Sequence, residues 1–308
     1  MRKAIVTGAT SYIGIALIKN LIRSGYRVAA VIRPGSSRAD VINMECPDAN
    51  IIECDITNMT RIQDCLVTSW IGEGIDDFYH IGWSSDFKNP RYNLESQMRN
   101  SDFAVGALRA AAELGCKKFL GVGSQAECGL VDKSLNSQTP DNPITAYAKA
   151  KCVAYDRCCE LSDKLGVEFY WPRLLSAYGP YDRPQTLVMS CITACIKHKE
   201  MTLSNAEQIW DYVYVDEVAT ALRLITEKGK PKKKYSIASG VGRPLREYIQ
   251  DIADVYEFPE LMSGIGKRPY AENEVMHLVG DVTEIYKDTG MVFDPDFKKH
   301  IALMKEKL

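Results

Sequence analysis

Thr7-Gly8-Ala9-Thr10-Ser11-Tyr12-Ile13-Gly14 follows the apolar run Ala4-Ile5-Val6 and opens a stretch of helical spacing. Between a first strand and a first helix, such a turn is where a pyrophosphate meets unpaired backbone N–H groups and the positive end of a helix dipole. Gly8 allows the tight turn, and Gly14 lets the helix pack close to the strand. Outward from here, short β-branched runs alternate with longer helical patterns. Strands are predicted over 4–7, 27–32, 51–54, 77–81, 118–122 and 168–172, and helices over 12–24, 59–69, 94–114 and 147–165. This order predicts an α/β fold, a Rossmann-type doubly wound parallel sheet whose ligands bind beyond the carboxyl ends of the strands.

After Arg173 the alternation weakens; Pro172, Gly179, Pro180 and Pro184 interrupt the chain before predicted helices over 187–199 and 215–226. Residues 1–173 plus about 208–231 read as a dinucleotide-binding domain, and about 174–207 plus 232–308 as a smaller α/β substrate-binding region. The lysine-rich stretch 228–234 reads as a solvated connector. With 38 basic and 40 acidic side chains the net charge is −2, so the basic excess that drives nucleic-acid binding is missing, and a small-molecule partner is expected. The ten cysteines are scattered without CxxC spacing and only four histidines accompany them, so reduced thiols and no metal are expected. Ala4-Ile5-Val6 is too short for a signal-peptide core and no long apolar span occurs, so the expectation is a cytoplasmic protein without membrane contact.

The Thr7–Gly14 turn resembles the fingerprint T-G-x-x-G-x-x-G of extended short-chain dehydrogenases/reductases, the NAD(P)-dependent epimerase/dehydratase group, with Ser11 replacing the middle glycine. A serine there requires a backbone without positive φ, or a hydroxyl that itself contacts a phosphate. The resemblance implies that Thr7, Gly8, Ser11, Tyr12, Ile13 and Gly14 hold the dinucleotide, with Asp55 and Ile56 at the adenine edge and Gly82 after the fourth strand. NAD-preferring relatives place an acidic residue at the end of the second strand; here stands Arg33-Pro34-Gly35-Ser36-Ser37-Arg38. Arg33, Ser37 and Arg38 suit a 2′-phosphate, so NADP(H) is expected over NAD(H), against the alternative of plain solvated arginines. Where the family has small residues, Trp83 is either core or a wall of the substrate pocket, beside Ser84.

Tyr147 and Lys151 are four residues apart, on one face of a predicted helix. In the resemblance they are the catalytic pair, Ser124 at the end of the fifth strand is the catalytic serine, and Asn100 supports a proton relay. Tyr147 and Lys151 would also contact the cofactor. A free tyrosine titrates near 10, poorly matched to neutral pH. An ammonium about 4 Å away, at an effective dielectric of about 20, favours the phenolate by roughly 4 kcal/mol.

Pro172–Pro180, Trp210–Val218 and Tyr235–Gly240 resemble the nucleotide-sugar members of the same family. Ser124, Gln125, Tyr178, Arg183, Gln185 and Trp210 are thereby expected to face the nucleotide sugar, with packing or surface as the equal alternative for Arg183, Gln185 and Trp210. Dehydratases of the family carry an Asp-Glu pair after the catalytic hydroxyl; Gln125-Ala126 stand here, which disfavours dehydration. The expected activity is NADPH-dependent reduction of a nucleotide-linked 4-keto-6-deoxy sugar. The alternatives are a 4-epimerase with retained NAD, a reductase of a non-nucleotide carbonyl, and a non-catalytic NADP-sensing protein. Family likeness implies a homodimer through 94–114 and 147–165.

Overall fold

The computed structural model describes residues 1–66, 70, 74–84, 92–272 and 274–307. In chain order its strands are Lys3–Thr7 (β1), Arg27–Ile32 (β2), Asn50–Glu53 (β3), Asp77–His80 (β4), Lys118–Gly121 (β5), Gly123–Ser124 (β6), Glu168–Tyr170 (β7), Arg173–Leu174 (β8), Ser176–Tyr178 (β9), Ile209–Trp210 (β10), Tyr212–Tyr214 (β11), Ser236–Ile237 (β12), Arg243–Pro244 (β13) and His277–Leu278 (β14). The helices are Tyr12–Arg23 (α1), Ala39–Glu45 (α2), Ile62–Cys65 (α3), Leu94–Glu113 (α4), Ala146–Leu165 (α5), Leu187–Ile196 (α6), Val215–Lys228 (α7), Leu245–Val255 (α8), Thr283–Thr289 (α9) and Phe297–Lys305 (α10).

Six strands form one sheet in the order β3-β2-β1-β4-β5-β7, every pair parallel. This is the doubly wound order, and the direction of winding reverses between β1 and β4. All of β1 is buried because helices cover both faces. Its alternation divides the core: Ala4 and Val6 join Leu17, Leu21, Leu222 and Ile225 on the side of α1 and α7, whereas Ile5 joins Phe78, Leu108, Ala154 and Phe169 on the side of α4 and α5. The predicted return of 215–226 onto the sheet is therefore present, tied further by Asn20 to Thr220 at 2.9 Å.

Two predictions need correction. The helix expected over 59–69 is a 3-10 segment, Ile56–Arg61, followed by the short α3, with 67–69 outside the described residues. Asp55 caps the 3-10 segment through the Thr57 N–H, and Asn58, at φ −138° and ψ 50°, breaks the helical path. The lysine-rich connector is not merely solvated: Lys233 pairs with Glu284 and Asp288, and Lys234 with Asp141. Its charges pin it to the body of the protein.

Beyond β7 the chain forms smaller sheets: β6-β8-β12, β9-β11 and β13-β10-β14. A separate apolar cluster gathers Val188, Cys191 and Ile192 of α6, Leu245, Ile249 and Ile252 of α8, and Phe297 and Ile301 of α10. Asp211 joins these parts. It is fully buried, and its carboxylate accepts from Ser239 N–H at 2.8 Å, Ser239 Oγ–H at 2.6 Å, Gly240 N–H at 3.0 Å and Gly280 N–H at 3.1 Å.

Candidate active site

The β1–α1 turn is built as the sequence predicts at its glycines. Gly8 has φ +67°, and a Cβ there would meet Gly82 N at 2.7 Å; a Cβ on Gly14 would meet the Gly8 carbonyl oxygen at 2.4 Å. Ser11 sits at φ −73° and ψ 157°, outside the strained region, and is the N-cap of α1. Its Oγ accepts from Gly14 N–H at 3.0 Å and donates to the Gly8 carbonyl at 2.8 Å. Of the two possibilities raised by this serine, an unstrained backbone is realised, and the hydroxyl is spent on the turn itself. The remaining first-turn donors, the N–H groups of Tyr12 and Ile13, lie at the helix start where an anion is favoured.

Thr7 closes the floor of the turn. Its Oγ1 lies 2.9 Å from His80 Nδ1 and accepts from Gly82 N–H at 3.3 Å, locking the carboxyl ends of β1 and β4 together. At Gly82 a Cβ would lie 3.1 Å from the Ile56 side chain, a tight contact. Arg33 and Ser37 are exposed and Arg38 half-buried in the loop after β2, while Asp55 and Ile56 follow β3. The residues expected at the dinucleotide thus lie beyond the carboxyl ends of β1, β2, β3 and β4, and the close backbone approach at Gly8 and Gly14 leaves a turn that could hold a pyrophosphate.

Tyr147 and Lys151 stand beside the segment that leads to Ser124, which lies in β6, paired with β8, rather than at the end of β5. Thr145 caps α5 through the Ala148 N–H, so Tyr147 and Lys151 fall in its first turns. Lys151 is buried, and its Nζ donates to the carbonyl of Val122, two residues before Ser124, at 2.6 Å. The ammonium lies 5.8 Å from the Tyr147 ring centroid, and Tyr147 meets Trp83 edge-on at 5.9 Å. Lys151 Nζ is 3.6 Å from the centroid of the Trp83 indole and 5.4 Å from that of Trp171. Burial pushes the Lys151 ammonium down to about 7, opposed by the nearby charge of Glu127. Desolvation and then Lys151 likewise hold buried His80 neutral, down at about 3.

The other expected residues divide. Trp83 is half-buried and packs against the core on the side of α4 and α5, with its face on Lys151 and its indole N–H on Gln97 at 2.8 Å. Asn100 is buried, and its side chain clamps the backbone of Ser84, accepting from Ser84 N–H at 2.6 Å and donating to its carbonyl at 3.1 Å. Gln125 follows Ser124 in a 3-10 turn. Arg183 and Gln185 are exposed in the loop before α6. Trp210 commits its indole N–H to Ser176 Oγ at 2.7 Å. Tyr178 departs from expectation. It is 2% exposed, packed against Tyr214 at 5.5 Å and Phe297 at 4.7 Å, with its hydroxyl 3.1 Å from His300 Nδ1. It is a core residue docking α10, and no local pattern in the sequence links it to His300.

Sequence reading also missed the buried group behind Ser124. Glu127, Trp171 and Arg173 are fully buried and mutually bonded; the signal available was an acidic residue three places after a serine, the pattern of a capping box.

Comparison with known proteins bears on the family and the fold. A model of the NAD dependent epimerase/dehydratase family matches residues 4–238. A trifunctional UDP-glucose 4,6-dehydratase/UDP-4-keto-6-deoxy-D-glucose 3,5-epimerase/UDP-4-keto-L-rhamnose-reductase of Arabidopsis thaliana is 23% identical over 87% of this chain, which spans 42% of that longer protein. A dTDP-6-deoxy-L-talose 4-dehydrogenase (NAD(+)) of Aggregatibacter actinomycetemcomitans is 22% identical over 80% of this chain and 88% of its own. The crystal structure of a UDP-glucose 4-epimerase from Thermotoga maritima superposes with a TM-score of 0.84 at 20% identity, covering 99% of this chain and 97% of that one. The turn, the parallel sheet and the family match lead to one assignment: this chain belongs to the NAD dependent epimerase/dehydratase family, whose members act as NAD(P)-dependent enzymes on nucleotide sugars.

Proposed function

We propose that the protein reduces the 4-keto group of a nucleotide-linked 6-deoxy sugar with NADPH, the part formed by 174–207 and 232–308 holding the nucleotide sugar. The reading is supported by Lys151 lying beside Tyr147 and bonding the Val122 carbonyl two residues before Ser124, combined with the lack of a reactive acid pair beside Ser124. Gln125 and Ala126 carry no acid, and Glu127 is fully buried with both oxygens bonded, so this turn supplies no base for removing water. Two similar proteins have 4-keto reduction or 4-dehydrogenation in their names, which supports the same chemistry. Arg33 and Arg38 support a 2′-phosphate on the cofactor.

When bound, the reduced dinucleotide supplies the hydride. Tyr147 delivers a proton to the carbonyl oxygen that becomes the alcohol, and Ser124 Oγ holds that oxygen by a second hydrogen bond. Lys151, as the ammonium, favours the phenolate that Tyr147 becomes and holds the ribose hydroxyls near it. Trp83 and Trp171 exclude water from the ammonium, which makes its charge act over a low-dielectric path.

The reading is tested by presenting nucleotide 4-keto-6-deoxy sugars with NADPH and following absorbance at the nicotinamide band. Stoichiometric oxidation of NADPH is expected, and Tyr147→Phe is expected to abolish it while cofactor affinity stays within about threefold. Interconversion of two nucleotide sugars without net cofactor change identifies a 4-epimerase instead, the reading favoured if NAD remains bound through purification.

A further inference from the structure

We propose that Glu127 is a positioning residue for the reaction: through its buried carboxylate it fixes the main chain of Ser124 and the indole of Trp171. The inference rests on the reading that Ser124, Tyr147 and Lys151 perform the chemistry. Glu127 Oε1 accepts from Ser124 N–H at 2.9 Å and from Trp171 Nε1–H at 3.1 Å, and Oε2 accepts from Arg173 Nε–H at 3.2 Å. Arg173 continues to the Thr139 carbonyl at 2.8 Å and to Asp141, which pairs with Lys234 at 2.7 Å. A run of alternating charges therefore leads from the surface connector to the catalytic serine.

Three features point beyond a turn cap. Glutamine closes a capping box as well as glutamate does, yet this position holds a carboxylate with no exposure, which must be desolvated and matched by a buried guanidinium. The cap leaves Ser124 ready to act. Its Oγ accepts from Ala126 N–H at 3.2 Å, so the hydroxyl proton stays free to donate into the cleft. The backbone has also been cleared for this carboxylate and its indole partner: a Cβ on Gly123 would lie 2.8 Å from Glu127 Oε1 and 2.6 Å from Trp171 Nε1, and one on Gly121 2.4 Å from the Trp171 ring. The indole so anchored is the one 5.4 Å from Lys151 Nζ. One carboxylate thereby sets both partners of Tyr147, the serine through its amide and the lysine through the wall behind it.

The test is a double-mutant cycle on the cofactor-loaded enzyme. Glu127→Met with Arg173→Met removes both charges together, leaving no unpaired ion. The pair is expected to lower kcat about 10- to 100-fold with cofactor Kd within about twofold, since displacement of a catalytic group by about 1 Å costs on this scale. In a Ser124→Ala background the same pair is expected to cost clearly less kcat than it does in the wild type, the remainder being the share carried through Trp171 to Lys151, and Glu127→Gln with Arg173→Met, which restores the acceptor, to recover most of the loss. Unchanged kcat, losses that multiply with Ser124→Ala, or no recovery by glutamine would each overturn the proposal. If the methionine pair does not fold, Glu127→Asp, which keeps the charge but withdraws it by one methylene, takes its place in the cycle. A readout independent of substrate is amide hydrogen exchange at Ser124, expected to accelerate at least tenfold in the pair variant with other β5 and α5 amides unchanged. Faster exchange in an enzyme that turns over no 4-keto sugar rejects the proposed substrate and leaves Glu127 in its role; unchanged exchange rejects the role.

Discussion

Replacing Lys151 by methionine is expected to inactivate the enzyme and stabilise the fold. Burial lowers the ammonium from its ordinary 10.5 to about 7. Because the folded value lies below the unfolded one, the unfolded chain binds more protons between about pH 7 and 10.5, and stability rises with pH across that window. Below it, the native state carries the full cost of a desolvated cation. A gap of about 3.5 corresponds to about 5 kcal/mol at ~1.36 kcal/mol for each pH unit. Methionine matches the stem of lysine and removes that cost, but it leaves the Val122 carbonyl without its donor, a loss of about 1–3 kcal/mol. The net gain at pH 6 is then about 2–4 kcal/mol, crossing zero between about pH 8 and 10 and becoming a net loss of about 1–3 kcal/mol above about pH 10.5. Urea unfolding of the cofactor-free wild type and variant at pH 6, 8 and 9.5 measures it. A variant less stable than wild type at pH 6, or a difference that ignores pH, refutes the account of Lys151 as a strained, buried cation.

The same lysine predicts proton uptake on cofactor loading. If the bound ribose and phosphates restore the ammonium, protons are taken up on binding at pH 8 and far fewer at pH 6, where the lysine is already mostly charged; calorimetry in buffers of different ionisation heat reads this, and equal heats at pH 8 count against it. Arg33→Ala together with Arg38→Ala is expected to raise the KM for NADPH at least tenfold and leave that for NADH within about twofold, a split that steady-state kinetics checks. Ser11→Ala removes the acceptor for Gly14 N–H and should cost about 1 kcal/mol in urea unfolding, whereas Ser11→Gly should cost only a few tenths.

What could be read from the sequence was local or periodic. The β1–α1 turn announces itself because glycine is required where backbones approach within a Cβ of each other, as Gly8 does at Gly82 and Gly14 at Gly8. Tyr147 and Lys151 are one helical turn apart, and the buried strands β1 and β2 show as β-branched runs. The residues that were hidden act across long chain separations with no period. Tyr178 meets His300 122 positions away, and Glu127 meets Arg173 46 positions away. Tyr178 lies in a stretch resembling a substrate-binding one, so its burial against α10 could be known only once the last helix was in place. Asn100 is a similar case: a helix face predicts that it points inward, but not that Ser84 takes both ends of its amide.

The departure at Trp83 belongs to the same economy as Glu127. The resemblance implies small residues at this point, and a small residue would leave Lys151 open to water on that side. Here an indole face stands 3.6 Å from the ammonium and substitutes for part of its lost hydration, an interaction of about 2 kcal/mol when desolvated. The bulky residue after β4 and the buried carboxylate after β6 are thus two halves of one solution: the cation is dried by aromatic walls, Trp83 in front and Trp171 behind, and the drying is tolerated because Glu127 lies close enough to oppose it electrostatically. Removing either wall is expected to change how much charge the lysine carries near neutral pH, so under the proposed mechanism the pH dependence of turnover responds to Trp83, Trp171 and Glu127 as well as to the tyrosine–lysine pair.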